Sequence, residues 1–217
     1  ITSGQSKVAV NIALDSTAPS VSEGAAIAGR TSGTIDYGSG ISDQLSNFAS
    51  DSAVTNDMQT IVAEDDAVTI TITDNPIDLS NDISKINNLA TYSSNGNSIG
   101  AITATVTGTN SEVNNLSTSD ARSDAIAITV EDQTARNVAT SILGKTVNST
   151  IDFSAGGIIG SLNSGNGSSL TSGGAINTET KNIIAHDPDI KIEMNNGSVF
   201  SQYANFKGLA TGTVGVD

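Results

Sequence analysis

The chain has 217 residues, 36% of them hydrophobic and 3% aromatic, with no Trp and no Cys, and its 9 Lys+Arg against 23 Asp+Glu leave a net charge of −14. That charge repels phosphate backbones and anionic lipid surfaces, the scarcity of aromatic rings removes stacking platforms for bases, and the missing thiols exclude disulfides and thiolate metal sites. A nucleic-acid partner is therefore not expected, and no apolar run approaches the roughly 18 residues of a membrane span.

The first predicted strand runs from Val8 to Leu14, where Val8, Val10, Ile12 and Leu14 alternate with smaller or polar residues. Ser20 and Glu23 have the spacing of a capping box, so a helix follows with Val21, Ala25 and Ala28 on one face and Gly29 at its end. Ile35 and Tyr37 make a second strand, and Ile41, Leu45 and Phe48 sketch a second, shorter helix. The next strand, Val68 to Ile72, interleaves apolar residues with threonine and ends at Asp74. Its helix carries Ile83, Ile86, Leu89 and Ala90. Asn95-Gly96 marks a turn in an inserted loop before a strand from Ile102 to Val106, and Thr109 with Glu112 repeats the capping-box spacing.

A third strand, Ile126 to Val130, is followed by helix positions Ala135, Val138 and Ile142 and by Ile151 and Phe153. Ser161 to Gly174 is almost wholly Ser, Gly and Asn, a composition that predicts a loop without a packed core. The last strand, Ile190 to Met194, leads to helix positions Val199, Tyr203 and Phe206 and a closing strand with Val214 and Val216. Strand-ending polar residues Asp15, Asp74, Asp132 and Asn195 lie 59, 58 and 63 positions apart. The recurrence divides the chain into units 1–60, 61–120, 121–182 (with the Ser/Gly-rich loop) and a partial unit 183–217. Parallel strands need crossovers, which these helices supply. The expected fold is an α/β repeat, a solenoid-like stack of strand–short helix–strand units with a period of about 60 residues; an all-β sandwich is the alternative.

The phrases Ala67 to Asp74, Ala125 to Asp132, Thr107 to Val113 and Phe206 to Val216 resemble the long repeat regions of giant cyanobacterial cell-surface proteins. The resemblance implies an extracellular, adhesin- or surface-layer-like scaffold associated with calcium. The inserted loops and the small number of units depart from that pattern and leave a virion surface open as the alternative location.

Carboxylates recur at strand ends, and hard oxygen donors suit Ca²⁺. Asp15, Asp74, Asp132, Asp187 and Asp189 are the candidate metal residues; the competing reading is that Asp terminates strands and caps helices. The runs Glu64-Asp65-Asp66 and Asp187-Pro188-Asp189 lack EF-hand spacing and read as solvated turns. His186, the one histidine, sits in a polar turn, and the acids lack the aromatic platforms of a sugar cleft. No catalytic residue is assigned and no enzymatic role is expected.

The expected function is structural: units that associate with further copies of the chain into a layer, sheath or filament. A chain that opens at Ile1 without Met and stops in mid-unit is expected to be a processed product or an excised piece, and its ends, Ile1 to Val10 and Gly212 to Asp217, are the expected contact elements. The alternative is an adhesin or viral fibre module that binds a host or cell-surface receptor through the loops Tyr92 to Gly100 and Ser161 to Gly174.

Overall fold

A computed structural model describes residues 7–147, 149–153, 155–162, 169–172, 174–195 and 205–216. In chain order the first elements are β1 (Ile12–Ala13), α1 (Val21–Ala28), β2 (Ile35–Asp36), β3 (Ile41–Asp43), α2 (Leu45–Phe48) and α3 (Asn56–Glu64). They are followed by β4 (Val68–Ile72), β5 (Ile77–Asp78), α4 (Leu79–Thr91), β6 (Ser93–Ser94), β7 (Asn97–Gly108) and α5 (Asn110–Asn114). After a 3₁₀ turn, Asp120–Arg122, come β8 (Ala125–Val130), β9 (Thr134–Ala135), α6 (Arg136–Leu143), β10 (Ile151–Asp152) and β11 (Ile158–Ser161). The chain closes with β12 (Thr171–Ser172), β13 (Ala175–Ile176), α7 (Thr178–His186), β14 (Ile192–Asn195) and β15 (Val214–Val216).

The fold is mixed α/β with several parallel sheets, so the all-β alternative does not hold. The chain forms two compact units: Ile1–Ile77 with Asn81–Thr105 and Leu116–Ala125, and Asp78–Ser80 with Val106–Asn115 and Ile126–Asp217.

In the first unit β1 pairs β2, β3 pairs β4 and β4 pairs β7, all parallel, with Ile12 opposite Ile35, Ile41 opposite Ile70 and Ile70 opposite Ile102. Along β4 Val68, Ile70 and Ile72 are buried and the threonines between them exposed, so one face of the strand carries the core. That core continues through Tyr37, Phe48, Met58, Ile61, Ile86 and Leu89. In the second unit β8 pairs β10, β9 pairs β11, β11 pairs β14 and β14 pairs β15, again parallel, with Ile128 opposite Ile151, Ile158 opposite Thr134 and Ile192, and Ile192 opposite Val214. Phe153, Ile183 and Phe206 fill the core around them.

Neighbouring parallel strands are thus 22 to 34 residues apart in sequence, while β6–β7 and β12–β13 are short antiparallel pairs. The first and second strands read within each 60-residue stretch lie beside one another, β1 by β2, β4 by β7, β8 by β10 and β14 by β15. In the first unit Ile70 is flanked by Ile41 on one side and Ile102 on the other, partners that lie 61 positions apart.

One phrase occurs in both units. Thr34-Ile35-Asp36-Tyr37 in the first matches Thr150-Ile151-Asp152-Phe153 in the second, and in each the aromatic residue is buried. A tight turn follows, closed by a glycine amide donating to the aromatic residue's carbonyl: Gly40 to Tyr37 at 2.7 Å, Gly157 to Phe153 at 2.6 Å. Both glycines have φ of 74°, a left-handed conformation that a side chain would strain.

Both capping boxes are formed, Ser20 with Glu23 and Thr109 with Glu112. Elsewhere the reading is corrected. Ile41 starts strand β3, and the short helix begins only at Leu45. Helices α3 and α7 were not anticipated, although Thr55 and Asn177 cap them as Thr and Asn commonly do. The Ser/Gly-rich stretch does pack where it is described: Ser169, Leu170 and Thr171 are buried, and the Ser169 hydroxyl donates to the Thr171 carbonyl at 2.7 Å. The remainder of that loop, residues 163–168 and 173, lies outside the described residues, as do Ile1 to Ser6, Val199, Tyr203 and Asp217.

Candidate functional site

The recurring polar feature is a carboxylate that reaches back to the backbone of the preceding strand segment. It takes two forms. In the first, an Asp at the end of a strand or just past it accepts the N–H of the first residue of an earlier helix, one of the donors a helix leaves unpaired. Val21 donates to Asp43 Oδ2 at 3.1 Å, Leu45 to Asp74 Oδ2 at 2.6 Å and Asn110 to Asp132 Oδ1 at 2.5 Å. The surrounding backbone repeats too. The residue before each Asp donates to the carbonyl two positions ahead of that helix residue: Ser42 to Pro19, Thr73 to Asp43 and Glu131 to Gly108, each at 2.9 Å. A negative charge here also meets the positive end of the helix dipole.

In the second form an Asp ahead of a strand accepts the N–H of a buried residue on the earlier strand segment. Tyr37 donates to Asp65 Oδ2 at 2.7 Å, Ile102 to Asp124 Oδ1 at 2.9 Å and Phe153 to Asp187 Oδ2 at 2.7 Å. Asp65 and Asp187 both occupy the C-cap of a helix, α3 and α7, so the two units share this arrangement. Asp124 is fully buried and also accepts from Ser119 N–H at 2.6 Å and from Arg122, whose Nε and Nη2 stand 3.1 and 2.7 Å from its two oxygens.

Electrostatics follows these surroundings. Burial resists ionisation of Asp43, but hydrogen bonds from Asn47, Gln44 and Val21 outweigh it and hold the carboxyl below its ordinary value. Burial pushes Asp187 up; the Phe153 bond opposes this, and the nearby charge of Asp152 adds to it. Asp65 is likewise raised, by burial and by the charges of Asp36 and Asp66.

Of the residues named as metal candidates, Asp74, Asp132 and Asp187 are thus bonded to backbone N–H groups, Asp132 also accepting from the Asn110 side chain at 2.9 Å. Asp189 is exposed and accepts from the Thr211 hydroxyl, and Asp15 is exposed. The structure does not bring the five together: among the described residues no three His, Asp or Glu side chains converge as a metal site requires. Their capping role was the competing expectation; Asp43 and Asp124 also accept backbone N–H groups without having been singled out, and Asp65 and Asp187, in runs read as solvated turns, are instead bonded to the Tyr37 and Phe153 N–H groups.

His186 is exposed in the last turn of α7. A cleft of about 260 Å³ in the first unit is lined by Ser22, Asp43, Asn47, Thr55 and Asp57 among others, and one of about 280 Å³ in the second by Lys181, Ile184, Pro188 and Leu209 among others. Neither contains a histidine. No helix among the described residues is long and apolar enough to cross a membrane. Comparison with protein-family models, curated proteins and solved structures gives no match.

The capping role makes a direct prediction. Asp132→Ala is expected to lower stability by about 1–2 kcal/mol, the usual loss for a helix N-terminal acceptor, while Asp132→Asn, which keeps an acceptor oxygen, loses less. Urea denaturation followed by circular dichroism measures both; equal losses for the two variants would contradict the assignment.

Proposed function

We propose that this chain is an extracellular structural protein, a solenoid-like stack of strand–helix coils that associates with further copies of itself into a surface layer, sheath or filament. The observation that carries the reading is the parallel pairing, in which partnered strands lie 22 to 34 residues apart, with carboxylates bonded across successive segments. Coils arranged in this way bury apolar faces only against neighbouring coils.

Two edges favour association. Among the described strands β1 pairs only with β2 and β15 only with β14, which leaves rows of backbone donors and acceptors. Close to β1, Val8 and Val10 are 66% and 52% exposed, large apolar side chains that another copy would cover. The cell-surface resemblance and the acidic, Cys-free composition agree with an exterior location.

Sedimentation velocity and negative-stain microscopy across a hundredfold concentration range test the proposal. Linear or sheet-like assemblies are expected to grow with concentration, and Val8→Lys with Val10→Lys to shorten them. A single small species at every concentration would overturn it.

A further inference from the structure

Three large apolar side chains stand exposed among the described residues, and they fall in two places: Val8 and Val10 in the first unit, and Leu209, 46% exposed, in the second. Each place leads into an edge strand, β1 in one case and β15 in the other. The two differ in form. Val8 and Val10 belong to a segment pinned by the buried Thr31 side chain, whose hydroxyl accepts the Val10 N–H at 3.1 Å and donates to the Val8 carbonyl at 2.9 Å. Leu209 instead lines the cleft of about 280 Å³, together with Ile184, Ala185, Pro188 and Lys181. Thr211 ties that cleft together, its N–H and its hydroxyl both donating to the Pro188 carbonyl, at 2.7 and 3.0 Å. One patch is a pair of apolar knobs and the other an apolar recess, each held in place by its own chain, which lowers the ordering cost of association.

The charges are complementary as well. Asp15 and Asp36, at the ends of β1 and β2, are exposed and form no ion pair among the described residues. Lys181 on the cleft and Lys207 close to Leu209 are exposed and likewise form none among the described residues. The other charged groups nearby are engaged: Lys7 donates to the Ala28 carbonyl, Asp187 accepts the Phe153 N–H and Asp189 accepts from the Thr211 hydroxyl.

Resting on the self-association proposed above, we propose that its contact is heterologous: Val8 and Val10 of one copy seat in the Leu209 cleft of the next, with Lys181 and Lys207 facing Asp15 and Asp36. Contacts between like patches are disfavoured on both sides. Knobs against knobs would bring together two first units, each with 4 Lys or Arg against 13 Asp or Glu, which repel one another. Recess against recess would set lysines against lysines and leave nothing to fill either cleft. A heterologous contact leaves one pair of knobs and one recess free on every growing assembly, so addition continues as a filament unless the rotation closes a ring.

Sedimentation velocity of the doubly substituted Val8→Lys, Val10→Lys chain, of Leu209→Lys and of their equimolar mixture tests this. All three positions are exposed, so the variants are expected to melt as the wild type does. Each variant alone is expected to stay a single copy at concentrations where the wild type assembles. The mixture is expected to form a two-copy complex and nothing larger, because only the cleft of the first variant and the valines of the second remain intact. Lys181→Glu, which keeps the apolar lining, is expected to raise the concentration needed for assembly several-fold. Leu209→Lys chains that assemble as the wild type does, or a mixture without the two-copy complex, would overturn this contact and leave self-association standing. A wild-type chain that never assembles overturns self-association, and the contact with it.

Discussion

Asp124→Ala is expected to cost about 3–5 kcal/mol, the range for removing one member of a buried ion pair. The carboxylate is wholly buried and accepts the N–H groups of Ile102 and Ser119 together with two nitrogens of Arg122. Alanine leaves those donors facing a cavity that the surrounding loop does not fill. Arg122 also donates to the Ala90 carbonyl, so the loss extends to the end of α4. A domain of ordinary stability holds about 5–15 kcal/mol in total, so this substitution places the first unit near its unfolding threshold. Arg122→Ala removes the counter-ion but keeps both backbone bonds, and is expected to cost less. Combined, the two changes cost less than the sum of the single ones, because the partners share one site. Chemical denaturation of the four proteins gives the coupling; strictly additive losses would show that Arg122 and Asp124 do not act as a pair.

Gly100→Ala is expected to destabilise the same unit by about 3 kcal/mol, at the upper end for overpacking. Residue 100 is the extra residue of a β-bulge: Val68 faces Ile99 and Thr69 faces Ala101, leaving Gly100 without an opposite number. A Cβ at this position would lie 2.2 Å from the Ala67 carbonyl oxygen and 2.7 Å from its carbon. Those atoms belong to a neighbouring backbone, so the clash is relieved only by separating β4 from β7. Gly96→Ala is the comparison, since a Cβ there meets nothing within 4 Å although its φ of 92° carries a conformational cost. Amide exchange in β4 reads the difference: Gly100→Ala is expected to expose the Ile70 amide, Gly96→Ala to leave it protected.

Much of the architecture was legible because burial on one face imposes a pattern. Alternation in Val68 to Ile72 and Ile126 to Val130 marks strands whose inward residues are buried, and the two capping boxes locate helix starts to the residue. The pairing itself was less legible: Ile35 and Ile151, each followed by an Asp and an aromatic residue, sit in segments two residues long that carry no pattern naming Ile12 and Ile128 as their partners. Helices α3 and α7 were missed for a related reason. Their polar faces are long and their apolar residues few, Met58, Ile61 and Val62 in one, Ile183 and Ile184 in the other, so tertiary packing rather than periodicity declares them. As for the carboxylates, their clustering near strand ends was visible, but a sequence gives no means of telling an Asp that meets a backbone N–H 22 residues away, as Asp124 does, from one that faces water, as Asp15 does.

The short reach between partnered strands bears on how the chain acquires its structure. When every parallel partner lies within three dozen positions, closing the intervening loop costs little more for the last pair than for the first, because that entropy grows only logarithmically with length. Refolding is then expected to begin at any adjacent pair and to spread stepwise from it, at a rate set by local closure rather than by a search across the whole polypeptide.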